Sequence, residues 1–313
     1  MTITQLEYII ALDRHRHFGK AAAACFIAQP SLSLQVQKLE EELQVEIFSR
    51  NNFPVIPTEI GIQIIEQAKK ILAEASLVPE LIQQHKKIIG GHIKVGIIPT
   101  LAPYLLPLFL HNFMQKYPEV KLSVSELTTD KIIRRLKNGT LDAGILATPL
   151  QDTGLVEDPL FYEEFVAYVS KKEKLYNKKF LLPGDIDVNK LWLLEEGHCL
   201  RSQVINLCAL QKDAAIEKHF DYSTGSIETL KRFVEKSQGI TLLPELATLD
   251  MPASKKQMLR YFKSPAPVRE ISLVTEKSFI KRKLLAILHE EIMAALPASI
   301  MQKKNKKMME PAL

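Results

Sequence analysis

The chain has 313 residues, 46% hydrophobic and 25% charged, a composition that can bury a core. That length suits about two or three folding units. No apolar stretch approaches the ~20 residues of a bilayer-spanning helix, and "MTITQLEYIIALDRHRH" lacks the basic start and apolar run of a secretory signal. Three cysteines exclude an extracellular disulfide framework and point to a reducing cytoplasm, while a net charge of +5 allows a polyanionic partner without demanding one.

The positive excess does not sit at the front: residues 1–57 hold five basic and six acidic side chains, a net of −1. A DNA-binding assignment there must rest on pattern. Residues 4–43 read as three short helices. Thr4 with Glu7 has capping-box spacing, followed by Leu6, Ile9 and Ile10 at helical intervals. "HFGKAAAACF" is a compact second helix, with Cys25 as packing at its end. "AQPSLSLQVQKLEEEL" starts a third, with Pro30 suited to its first turn. Leu32, Val36, Leu39 and Leu43 line one side of it. The other side carries Ser31, Leu34, Gln37 and Lys38, with Gln35 at its edge, a set suited to base edges and phosphates. Periodicity alone leaves open a plain three-helix module with a solvated polar face.

"FGKAAAACFIAQPSLSLQVQKLEEELQVEIFSR" resembles the winged helix-turn-helix of the LysR-type transcriptional regulators. The matching residues are Ala21 and Ala22, Gln29-Pro30-Ser31-Leu32-Ser33, Leu39-Glu40, and Phe48 with Arg50 entering the wing. The resemblance implies that the third helix enters the major groove and the wing touches the backbone. DNA contacts are then expected from Gln29, Pro30, Ser31, Ser33, Leu34, Gln35, Lys38 and Arg50. After Arg50 the chain reads "NNFPVIPT", without the basic residues the family usually places there, so a weaker phosphate grip is expected.

Thr58 can cap the next helix. Ile64, Ala68, Ile71, Ala75 and Val78 form a heptad seam on it, and Pro79 should kink or end it. Such a helix either lies on its own domain or, as the resemblance implies, pairs with a second subunit. "IIGG" (Ile88 to Gly91) reads as a hinge. The expected domains are 1–57 (winged helix-turn-helix), 58–90 (linker helix and hinge), 91–300 (regulatory) and 301–313 (a disordered Lys-rich tail).

From Ile93 the period changes. Strands "IKVGII", "VKLSVSEL" and "LDAGILA" alternate with helices at 104–117 and 130–137. "FVAYVS", "LWLLEE", a helix after Ser226, "ITLLP", "REISLVT" and a helix from Ser278 to Leu296 follow. Alternation predicts crossovers and a parallel sheet. Two small α/β lobes resemble the periplasmic-binding-protein-like effector domain of the same regulators, making the fold class α/β with an all-α N-terminus. Thr100, Thr128 with Thr129, and His198 with Cys199 all follow strand carboxyl ends, so their loops can meet in one polar crevice.

"EEGHCLRSQVINLC" holds the other two cysteines, Cys199 and Cys208. A zinc site lacks its paired spacing and a second cluster, so no metal is expected. Inert packing suits Cys208 better than Cys199, which His198 and Arg201 flank. A redox pair fits best: nearby positive charge lowers the Cys199 pKa, peroxide turns its thiolate into a sulfenic acid, and a second thiol traps that acid as a disulfide. If the segment is helical, the two Cα atoms stand roughly 13 Å apart, against about 4.4–6.8 Å for a disulfide. The helix must then come apart.

This segment, "VGIIPTLAPYLLP" and "ETLKRFVEKSQGITLLPELA" resemble the peroxide-sensing branch of the LysR family. The resemblance implies that Cys199 is the peroxidatic residue and Cys208 the resolving one. Thr100, Thr129, His198, Arg201 and Arg269 would order peroxide and stabilise charge. It also implies a DNA operator, a dimer of dimers, RNA polymerase and a thiol reductant as partners, and no cofactor. Ser202 stands where the branch often has an acid, which bears on switching kinetics. The rival readings are a LysR-type regulator of a small organic ligand and a thiol peroxidase.

Overall fold

The computed structural model describes residues 1–49, 54–85, 90–150, 152–195, 199–207, 225–277, 279, 281–301 and 307–308. They fall into two compact units, one to about residue 88 and one from about 89 onward.

The first unit opens with α1 (Ile3–His15), α2 (Phe18–Ala24) and α3 (Gln29–Leu43). The capping box lies at Thr2 and Gln5 rather than Thr4 and Glu7, because the helix begins at Ile3 and leaves Thr4 inside its first turn. His17 caps α2, its Nδ1 accepting from the Gly19 amide at 3.0 Å. Leu6, Ile9 and Leu12 of α1 pack on Ala21 and Ala22 of α2 and on Leu32, Val36 and Leu39 of α3. A two-stranded wing follows, β1 (Phe48–Ser49) antiparallel to β2 (Ile56–Pro57). Buried Glu40 ties α3 to it by accepting from the Ile47 and Phe48 amides at 2.9 and 3.1 Å.

The long helix α4 (Glu59–His85) starts on its Thr58 cap, whose hydroxyl accepts from the Gly61 amide at 3.0 Å. Of the two effects expected of Pro79, a kink or an end, the end does not occur: the helix runs through it, since proline removes one amide but leaves the flanking turns bonded. Ala68 of the seam, with neighbouring Ile65, is buried against the unit's own core, whereas Val78 is exposed. Of "IIGG", residues 88 and 89 lie outside the described residues.

The second unit is a mixed sheet rather than a parallel one. β3 (Gly91–Ile97) lies between β4 (Val120–Glu126) and β5 (Ala143–Thr148), all parallel, with α5 (Ala102–Lys116) and α6 (Thr129–Lys137) as crossovers. No helix separates β5 from β6 (Leu155–Val169), a single 15-residue strand of which "FVAYVS" is the end. β7 (Phe180–Leu181), α7 (Cys199–Leu207), α8 (Ile227–Lys236), β8 (Ile240–Pro244), α9 (Ala253–Lys256) and β9 (Leu259–Phe262) build the second lobe. β10 (Pro267–Glu276) then inserts antiparallel between β5 and β6, and α10 (Arg282–Ala295) covers the first lobe.

β6 therefore belongs to both lobes: its first part pairs with β10, and Phe165 to Val169 pair with β8 and enter the second core. "LWLLEE" reduces to one bridge, Leu191 to Ile240. Lys307 and Met308, expected in a disordered tail, pair with Pro267 and Val268 of β10. That end of β10 extends beyond its pairing with β5, which leaves an edge to occupy.

Candidate functional site: a buried arginine cluster beside an inter-lobe cavity

The two lobes meet at Arg269, a fully buried side chain on β10. The sheet register sets it opposite Glu163 on β6, equally buried. Its Nε donates to Glu163 Oε1 at 2.8 Å, and a terminal nitrogen approaches the same oxygen at 2.6 Å. The other carboxylate oxygen accepts from the Leu246 amide at 3.1 Å. The remaining terminal nitrogen donates to the Thr100 hydroxyl at 2.9 Å. Thr100 is thus held by an ion pair that neither charge could leave cheaply, since a buried charge without its partner is strongly unfavourable.

Beside this cluster lies a cavity of about 450 Å³. Pro99 and Thr128, from two of the three loops expected to meet, contribute to its lining together with Glu195 at the end of "LWLLEE"; the loop at residue 198 lies outside the described residues. Thr128 sits at the N-cap position of α6 without making a side-chain cap bond. Thr129 is buried as the first residue of α6, and Thr100 is turned to Arg269.

A hydrogen bond crosses between the lobes here. The Tyr104 hydroxyl, on α5, donates to Glu228 of α8 at 2.8 Å. Lys231, buried on the same helix, donates to Glu228 at 2.7 Å and to the Ala247 carbonyl at 2.7 Å, with its ammonium 5.2 Å from the Tyr104 ring centre. Burial first, then the Glu228 bond, pushes the Tyr104 hydroxyl far above its ordinary pKa, so it acts as a donor. Burial opposes ionisation of Glu228, but the bonds from Lys231 and Tyr104 outweigh it and hold the carboxyl below its usual range.

Cys199 opens α7, and the helix runs unbroken to Leu207. Arg201 donates to the Leu194 carbonyl at 2.9 Å, which pins α7 to the preceding segment. His198 and Cys208 lie outside the described residues. Sequence reasoning missed Glu163, Tyr104, Glu228 and Lys231. Only Glu163 left a signal: it shares the alternating buried face of β6 with Phe161 and Phe165.

On the first unit, Gln29, Pro30, Ser31 and Lys38 of α3 are exposed, and Leu34 is 50% exposed. Ser33 is half-buried. Gln35 is half-buried too, and accepts from the Gln5 amide at 3.3 Å. Arg50 lies outside the described residues. Cys25 is a half-buried free thiol; burial, then the Glu7 charge, pushes its pKa up.

Residues 3–62 match the bacterial regulatory helix-turn-helix model of the LysR family, and residues 88–296 match the LysR substrate-binding domain model. The chain is 35% identical over 276 residues to the DNA-binding transcriptional dual regulator OxyR of Escherichia coli K12, covering 88% of this chain and 89% of that one. A full-length OxyR cysteine-to-aspartate mutant from Pseudomonas aeruginosa is similar in structure, with a TM-score of 0.72, 33% identity, and coverage of 94% of this chain and 98% of that one. A hydrogen-peroxide-bound OxyR cysteine mutant from Corynebacterium glutamicum gives a TM-score of 0.60 at 27% identity over 94% and 92% of the two chains. This chain belongs to the LysR family of transcriptional regulators, in its OxyR branch, and is a DNA-binding regulator rather than an enzyme.

Proposed function

We propose that the chain is a cytoplasmic hydrogen-peroxide sensor that is switched by a Cys199–Cys208 disulfide. One observation carries the reading: α7 runs from Cys199 to Leu207 as continuous helix, and a helix of that length holds its ends roughly 12 Å apart, beyond the reach of a disulfide. The Cys199 thiolate attacks peroxide, the O–O bond breaks, and hydroxide leaves as water once protonated. The Cys208 thiol then attacks the sulfenic sulfur and releases a second water, so one peroxide is reduced as two thiols become one disulfide. Closing that bond requires α7 to unwind, which changes Arg201's hold on Leu194 and the lining of the cavity at Glu195. Thr100, Thr129, His198, Arg201 and Arg269 order the peroxide site.

The chain works as a dimer of dimers on a DNA operator. Gln29, Pro30, Ser31, Ser33, Leu34, Gln35 and Lys38 face the groove, and Arg50 faces the backbone. RNA polymerase receives the signal, and a thiol reductant resets it. The test is mass spectrometry of the peptide spanning both cysteines before and after a peroxide pulse, beside operator binding. Oxidation should remove two hydrogens from the wild-type peptide. Cys199→Ser should abolish the response and leave DNA binding intact; a variant that still responds normally overturns the reading.

The cavity favours a second reading, a regulator of a small organic ligand. That reading expects the response to survive Cys199→Ser and to follow an added compound.

A further inference from the structure

At the turn between α2 and α3, Phe26 has φ +57° and is 95% exposed. The turn is a Schellman stop: the Phe26 amide donates to the Ala23 carbonyl at 3.2 Å, and the Ile27 amide donates to the Ala22 carbonyl at 3.1 Å. The position between those two bonds demands left-handed backbone, which suits glycine or asparagine and disfavours a bulky side chain. Neither bond uses the phenylalanine ring. Cys25 and Ile27 on either side pack against the core, and Phe26 does not. A bulky residue held in unfavourable backbone, with no packing in return, marks a site where stability did not choose the residue.

Its surroundings say what did. Ala28, Gln29, Pro30 and Ser31 follow as one exposed run into α3. The exposed residues beside it in sequence, Ala23, Ala24, Ala28, Gln29, Pro30 and Ser31, are small or polar, whereas a protein partner covers a broad contiguous apolar area. The Phe26 ring does suit the one apolar mark in the major groove, the thymine 5-methyl. We propose that Phe26 reads a thymine methyl at the outer edge of the operator half-site, as a specificity contact in addition to α3. This rests on α3 being the groove-reading helix.

The experiment uses the full-length chain and a duplex enriched from a random-sequence pool by the wild type, at fixed salt. Each thymine is replaced in turn by deoxyuridine, which lacks only the methyl. Phe26→Gly and Phe26→Asn should lower affinity about 3- to 10-fold while keeping or raising the melting temperature. One uracil replacement should weaken the wild type by a similar factor and leave both variants unaffected. Wild-type affinity in both variants, with Lys38→Ala weakened, overturns the Phe26 contact alone. A loss in the variants that no single uracil cancels also overturns it, as an indirect effect. If Lys38→Ala has no effect either, the reading of α3 fails and this inference falls with it.

Discussion

Arg269 and Glu163 are each fully buried, and each depends on the other. Arg269→Met should destabilise the chain by about 3–5 kcal/mol in denaturant unfolding, because it strands a carboxylate in the core. The double change Glu163→Leu with Arg269→Met should recover most of that loss, because it removes both charges; equal losses in the two variants would contradict the pairing. Glu228 offers a test by acidity. Its pKa in the folded chain is depressed, so the stability it contributes is complete above the ordinary carboxylate range and is lost as pH falls through the depressed value. Carbon-13 titration of its carboxyl should give a midpoint below that of free glutamates, and Lys231→Met should move it upward. Arg269 follows from family resemblance alone, and Thr100 also from its place past a strand's carboxyl end. Their pairing was not legible, because the Arg269–Glu163 and Arg269–Thr100 contacts span 106 and 169 residues and no local pattern encodes such a distance.

Elements were read well wherever the periodicity was local. The crossover helices α5 and α6, the cap of α8 at Ser226 and the strand β8 lie where apolar spacing put them. "LWLLEE" failed because an apolar run does not say whether a partner strand lies alongside; here only Leu191 finds one. β6 was read short because its proline and acidic stretch looks like a loop, although β10 pairs along it. Gly61 sharpens the same lesson inside α4. A Cβ there would lie 2.0 Å from the Ile47 carbonyl oxygen, a backbone atom that cannot swing aside. Alanine gains about 1 kcal/mol of helix propensity, but overpacking costs about 1–3 kcal/mol or more. Gly61→Ala should therefore lower the melting temperature of the DNA-binding unit; an increase would mean that the wing yields.

For the whole molecule, family membership was legible because long motifs survive at both ends of the chain. The mechanics were less so, since they depend on how α7 is held. Hydrogen exchange should show α7 amides losing protection on oxidation, while β3 and β5 keep theirs; unchanged protection in α7 would remove the proposed switch. How such a change travels follows from the path of β6. Among the described residues the backbone passes between lobes along β6 at Glu164 to Phe165 and back through residues 263–266, and Val268 pairs with Glu164 beside the crossing. A joint of two neighbouring straps bends easily but neither stretches nor slides, so news carried along the backbone from the far lobe arrives as tilt. One extra residue spliced in at that crossing would turn the strand's faces over on one side of it, leaving both halves intact but out of phase.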